Sequence, residues 1–267
     1  MPMRENRLMT RLIALTLTAL LTACAAPRAV PTLPTPPSPV RLTASDSVAP
    51  GFDIPGVRDR MVFLARQEWS LFGSPVVQDL PDGSSRLDFA QGASPAHELQ
   101  PPMLSRVLVY WYGVSTAPIV GYQGELRPWS AAFISWLAQG AGLSPEEFPR
   151  TVLHWDYIER SLQGRAGHRY VARDPLTHVP AVGDLVCNAR DDGREPAFTQ
   201  QIGSFADLRR GPYHCDLVVG AAPGALEAIG GNVGDAVSMT RLPIDAAGRL
   251  QSNGKRRFVA VLEHQQR

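Results

Sequence analysis

The 267-residue chain has one lysine, Lys255, among 26 basic residues, only three cysteines, and no internal repeat. Basic residues are nearly matched by 25 acidic ones, so the chain lacks the one-signed field that draws a protein to nucleic acid or anionic lipid. Its six histidines, at 97, 154, 168, 178, 214 and 264, form no His-x-His or His-x-x-x-His pair. No Cys-x-x-Cys accompanies them, so no metal is expected. Gly230-Gly231 stands outside any P-loop or dinucleotide-binding context, and no cofactor is expected. The scarcity of lysine has no structural explanation.

What is present at the N-terminus concerns location. Arg4, Arg7 and Arg11 precede an apolar run from Leu12 to Ala23. Such a run covers roughly 18 Å as a helix, short of the ~30 Å bilayer core. A basic flank and a short apolar stretch read as a secretory signal over residues 1–23. The run ends in Leu21-Thr22-Ala23-Cys24, which resembles the bacterial lipobox. That resemblance implies lipidation at Cys24, with Ala25 permitting transfer to the outer membrane. The expected location is the cell envelope, as an outer-membrane lipoprotein facing the periplasm and held to the membrane by its N-terminal lipid anchor. Arg4, Glu5, Arg7 and Arg11 together carry +2, so losing the signal takes the formal charge from +1 to −1.

Pro27, Pro31, Pro34, Pro36, Pro37 and Pro39 make residues 24–50 read as an extended linker. Residues 51–267 are then long enough for one domain with a substantial core. Asp53-Ile54-Pro55-Gly56 looks like a helix start, and Val57, Met61, Leu64, Ala65 and Trp69 continue with helical spacing, predicting a helix over 55–72. Residues 73–100, rich in Gly, Pro, Ser and Asp, read as loop. Further helices are expected from Pro101-Pro102 through Trp111, over Pro128-Trp129-Ser130 to about Gly142, and over roughly 150–163. The period then changes to 2, predicting strands at 184–188, 213–220, 226–229, 236–241 and 257–263. Helices followed by antiparallel strands imply an α+β fold, with the N-terminal helices packed on a small antiparallel sheet.

Four pieces carry the chemistry: Pro128-Trp129-Ser130-Ala131-Ala132-Phe133, Gly183-Asp184-Leu185-Val186, Tyr213-His214-Cys215-Asp216-Leu217-Val218-Val219-Gly220, and Ile229-Gly230-Gly231-Asn232. Their order over about 125–263 resembles the papain-like amidases of bacterial cell walls, notably the CHAP (cysteine, histidine-dependent amidohydrolase/peptidase) domains. The likeness is greatest to a branch known as domain of unknown function 2272. It implies a papain-like fold and a hydrolase of amide bonds, with peptidoglycan peptide or another envelope component as partner. Ser130 takes the place of the usual cysteine, His214 that of the base, and Asn232 that of the orienting residue. The glutamate usual two residues before that asparagine is Gly230 here, and Asp216 could substitute because strand alternation puts it on the face of His214.

A nucleophile in the first turn of a helix gains from the macrodipole and from backbone N–H groups that can receive an oxyanion. Serine, unlike cysteine, stores no anion at neutral pH and needs its base correctly placed at the moment of attack. Each residue also has a plainer explanation. Ser130 is a good helix cap, His214 can be a core or edge residue, and Asn232 suits a left-handed turn. Trp129 and His154 are expected to line the cleft, although for His154 packing or surface placement is the commoner role. A non-catalytic envelope-binding or assembly module that keeps the cleft is one alternative to a hydrolase. A serine esterase or acyltransferase is another.

With Cys24 assigned to lipid, Cys187 and Cys215 remain. Antiparallel pairing of strands 184–188 and 213–219 can set Cys187 opposite Cys215, Val186 opposite Asp216 and Asn188 opposite His214. In an oxidising periplasm that favours a disulfide over two free thiols. By the same parity Cys215 faces away from His214 and is no substitute nucleophile.

Overall fold

The computed structural model describes residues 55–79, 85–89, 96–190, 198–253 and 256–266. The expected signal over 1–23, the expected lipidation site Cys24 and the expected linker over 24–50 lie outside these residues. The fold is α+β. Helices α1 (Val57–Leu71), α2 (Pro101–Tyr112), α3 (Ser130–Gly140) and α4 (His154–Leu162) precede most of the strands, and a fifth, α5 (Phe198–Gln201), falls between them. The strands are β1 (Val76–Asp79), β2 (Ser85–Asp88), β3 (Tyr170–Arg173), β4 (Leu185–Ala189), β5 (Tyr213–Ala222), β6 (Ala225–Gly230), β7 (Ser238–Pro243) and β8 (Phe258–His264). They form one eight-stranded sheet in the order β2-β1-β7-β6-β5-β4-β8-β3.

Three expectations need correction. The sheet is large, because β1 and β2 form within 73–100 where turn-forming residues suggested only loop, and because β3 adds a further edge. It is not wholly antiparallel, since β1 runs parallel to β7 with Val77 beside Thr240. The helices are not all N-terminal to the strands, since β1 and β2 precede α2 and α5 precedes β5. Short exposed edge strands such as Ser85–Asp88 carry too few apolar residues for their period to show.

Helix α3 is the centre of the helical layer. Ala131, Ala132, Phe133, Ile134, Leu137 and Ala138 are all buried, and the helix packs against α1, α2 and β5. Alanine on successive positions lets backbone approach from several sides. A buried carboxylate links its neighbours: Glu68 on α1 accepts from both Arg106 and Tyr110 on α2. Burial, then Glu68, raises the Tyr110 phenol far above its usual range, so it stays a neutral donor.

The central strand β5 shows why the period of 2 was legible. Cys215, Leu217 and Val219 enter the core shared with the helices, while Val218 enters a second cluster with Val186, Ala228 and Val261 on the other face. β4 and β5 pair with Cys187 opposite Cys215, Val186 opposite Asp216 and Asn188 opposite His214, and Cys187 and Cys215 form a disulfide. Asp184, in the Gly-Asp-Leu-Val piece, accepts from the backbone N–H of Ala181 at 2.9 Å and of His264 at 2.8 Å. Its carboxylate fixes the start of β4 against the end of β8.

Candidate active site

The first turn of α3 is held from two directions. Trp129, the N-cap, is fully buried against Phe72, Tyr110 and Phe133, and its Nε1 donates to Glu98 Oε2 at 2.6 Å. A Cβ on Gly231 would stand 2.6 Å from the Trp129 ring and 2.7 Å from Phe133 Cβ. Glycine at 231 is therefore what lets the end of β6 close on the helix tip. This also corrects the expectation for Trp129: it is a core residue that positions α3, and it does not line the open cavity described below.

Ser130 is the first helical residue, and no side chain caps this end of α3. Its hydroxyl does not turn back to the helix, as a capping serine would. Ser130 Oγ instead lies 2.7 Å from His154 Nε2, and His154 Nδ1 is bonded to the Tyr157 hydroxyl one turn along α4. Burial, then His214 and Arg190, holds His154 well below the ordinary imidazole value, so the ring is neutral. Burial first, and then Asp216, Tyr170 and Asp156, raises Tyr157 well above the usual phenol range. The serine, imidazole and phenol form an uncharged chain. Two arrangements of its protons exist. If Nδ1–H donates to the Tyr157 oxygen, Nε2 can accept the Ser130 proton; if the phenol donates to Nδ1, it cannot.

His214 stands at the start of β5 and is not the partner of Ser130. The first turn of α4 straddles this strand end: Trp155 stacks on Tyr213 with ring centres 5.7 Å apart, and the His154 and His214 rings are 5.4 Å apart. His214 Nε2 lies 2.7 Å from Asp216 Oδ1. An ionised carboxylate only accepts, so Nε2 carries the proton. Asp216 is 1 % exposed; burial works to raise its pKa, but His214 and Arg256 outweigh that and hold it below the carboxylate range. Asp216 Oδ2 lies 3.5 Å from Arg256 Nη1, and Arg256 Nε is 2.7 Å from Asp79 Oδ2.

Gly230 explains why Asp216 fits. A Cβ at 230 would run into Asp216 Oδ1 and come within 3.1 Å of His214 Nε2. The carboxylate on β5 thus fills the space beside the imidazole that a side chain on β6 would otherwise take. Asn232 sits in the left-handed region at φ 57° and lines the cavity with His214. It makes no hydrogen bond to His214, whose orienting partner is Asp216.

An open cavity of about 580 Å³ lies beside this group, lined by His214, Asn232, Asn188, Arg190, Arg256 and Arg257 among others. Ser130 is 2 % exposed, and neither it nor His154 is among the lining residues. His154, 6 % exposed, does not line this cavity; the hydroxyls of Ser130 and Tyr157 hold it inside. Sequence reasoning noted His154 but not Tyr157, although a His and a Tyr three apart on one helix face are the signal. Asp79 and Arg256 had no such signal, coming from β1 and from the approach to β8. No group of three or more His, Cys, Asp or Glu residues that could hold a metal occurs among the described residues, and no helix among them is long and apolar enough to cross a membrane.

No curated protein and no solved structure matches the chain. Residues 108–262 match a family described as "Uncharacterized protein conserved in bacteria (DUF2272)". The matched region begins within α2, spans α3 and α4, and ends in β8, so it contains Ser130, His154, Tyr157, His214 and Asp216. With more than half of its residues so matched, the chain belongs to the DUF2272 family.

Proposed function

We propose that this chain is an envelope-anchored lipoprotein whose papain-like domain hydrolyses amide bonds in peptidoglycan peptide, with Ser130 as nucleophile and His154 as its base. The observation that carries the reading is the 2.7 Å contact between Ser130 Oγ and a neutral His154 Nε2 at the N-terminus of a helix. A hydroxyl needs a neutral imidazole as general base, and burial keeps this one neutral. The location rests on the basic-apolar leader and Leu21-Thr22-Ala23-Cys24.

In this reaction Ser130 Oγ attacks the amide carbonyl carbon and its proton passes to His154 Nε2. Backbone N–H groups of the first turn of α3 receive the oxyanion. Collapse returns the proton to the leaving amine and leaves an acyl ester on Ser130. Water, deprotonated by the same imidazole, then releases the carboxylate product. Tyr157 selects the working tautomer by accepting from Nδ1, as the carboxylate does in a Ser-His-Asp triad. His214, on the cavity side and oriented by Asp216, is placed to hold the substrate or to hand a proton to the leaving group.

A second reading has an observation of its own. Ser130 is nearly inaccessible, which favours a module that binds an envelope component and does not turn it over. Digestion of purified peptidoglycan by the full chain, read by mass spectrometry beside Ser130→Ala and His154→Gln, separates the two. New muropeptides lost in both variants support the hydrolase. Binding to peptidoglycan without products, equal in all three proteins, supports the module and removes the hydrolase.

A further inference from the structure

The cavity beside His214 has a chemistry that the serine reaction leaves unused. Three guanidinium groups line it, and no carboxylate does so among the described residues. Arg256 is taken up by Asp79 and Asp216. Arg190 and Arg257 make no ion pair among the described residues and line the opening together with His214. A second observation points the same way. Asn188 lines the cavity at 6 % exposure, its Nδ2 donates to the Ala189 carbonyl at 3.1 Å, and its Oδ1 is buried with no hydrogen-bond partner among the described residues. A buried acceptor left open is a place where a ligand donor belongs.

We propose that this cavity is a carboxylate-recognising peptide subsite, in which Arg190 and Arg257 take a free carboxylate of the ligand and Asn188 Oδ1 accepts a ligand N–H. Planar guanidinium groups match a carboxylate in two-pronged fashion. The requirement for an acceptor and a donor at one site favours a peptide over a bare anion. A cavity of about 580 Å³ has the size of a short peptide. The subsite rests on the hydrolase reading only for its purpose, which is to select peptide with a free carboxylate beside the reacting bond. It also links binding to the base. Arg190 is one of the groups, after burial and His214, that hold His154 down, so a carboxylate on Arg190 makes His154 a stronger base when substrate is present.

Calorimetry on the full chain carrying Ser130→Ala, which removes turnover, tests this with trialanine in its L and D forms, the corresponding C-terminal amides, and inorganic phosphate. At least one free acid is expected to bind at least tenfold more tightly than its amide and than phosphate. Arg190→Ala and Arg257→Ala should each weaken it about tenfold, while Arg173→Ala on the edge strand leaves it unchanged. Absence of binding by both free acids overturns the proposal, as does equal binding of acid and amide. Tighter binding of phosphate makes this an inorganic anion site and likewise overturns it. Failures are separable: acid-selective binding by a chain that never cleaves peptidoglycan removes the hydrolase and leaves the subsite. Cleavage without acid selectivity removes the subsite alone.

Discussion

His154 and His214 have ring centres 5.4 Å apart, yet they are held in opposite ways. His154 belongs to the helices and sits between two hydroxyls, in surroundings that refuse a charge. His214 belongs to the sheet and leads into a run of alternating charges formed by Asp216, Arg256 and Asp79. The first arrangement relies on burial and neutral hydrogen bonds, which leave a proton free to move. The second relies on mutual compensation of buried ions, which fixes geometry but cannot lose a member cheaply. One imidazole is suited to exchange a proton with a serine; the other is suited to stay where it is at the wall of a cavity.

Removing one member from each set should give unequal costs. Asp216→Ala leaves Arg256 and His214 beside an empty space and should destabilise by about 3–5 kcal/mol. Tyr157→Phe deletes a neutral hydrogen bond and should cost about 1–2 kcal/mol. Urea unfolding reads both. Similar small losses would show that the Asp216 network is solvated and the contrast false.

The strand that carries His214 is also braced covalently. The Cys187–Cys215 disulfide closes a loop of 28 residues in sequence separation, which corresponds to about 3.5 kcal/mol of restricted unfolded-state entropy. Cys187→Ala with Cys215→Ala should lower stability by about that amount. Dithiothreitol should do the same to the parent and nothing to the double variant. His154 is on no disulfide-linked strand, so its bond to Ser130 should survive reduction, read by the imidazole NMR resonances; loss of both sites together would mean that the helices depend on the brace.

Acid separates the two histidines by the pH at which stability is lost. His154 has a folded pKa below its unfolded value of about 6.5, so its contribution is complete above that pH. It falls away below it, because the unfolded chain takes up a proton that the folded one refuses. His168 and His264, both lowered to about 4 by burial first of all, lose stability over the same window. Asp216, also lowered, contributes above its unfolded value of about 3.9 and is lost only below it. Between pH 6 and 4.5, His154→Gln should therefore reduce the slope of stability against pH by about 1.4 kcal/mol per unit. An unchanged slope would mean that His154 is already charged in the fold.

The sequence carried most of what local periodicity and pairing determine. Helix 101–111 was marked by Pro101-Pro102 and by Val107 and Trp111 on one face. The register that sets Cys187 opposite Cys215 followed from the strand limits and parity. It did not carry what tertiary packing alone decides. β1 and β2 have few apolar residues, so their alternation is faint. The partner of Ser130 was decided by the approach of α4 to the tip of α3, and His154 and His214 are both histidines near one strand end. Nothing in the sequence between Ser130 and His154, 24 positions apart, said which would arrive. Gly230 was the subtler sign, since a missing side chain there is intelligible only once Asp216 is seen in its space.

The smallest effect bears on why serine stands beside His154 at position 130. A papain-like cysteine works as a thiolate beside an imidazolium, and that ion pair needs surroundings that accept two charges. Around His154 burial opposes the imidazolium, and Arg190 and His214 oppose it further. A hydroxyl beside a neutral ring suits such a place better than a thiolate does. Ser130→Cys should change stability by less than about 1 kcal/mol, since the change in side-chain volume is small. The new thiol should titrate at or above its ordinary value of about 8.5, followed by thiolate absorbance at 240 nm. A thiolate formed below pH 7 would mean that the pair does accept charge, that His154 and His214 are alike after all, and that serine stands at 130 for some other reason.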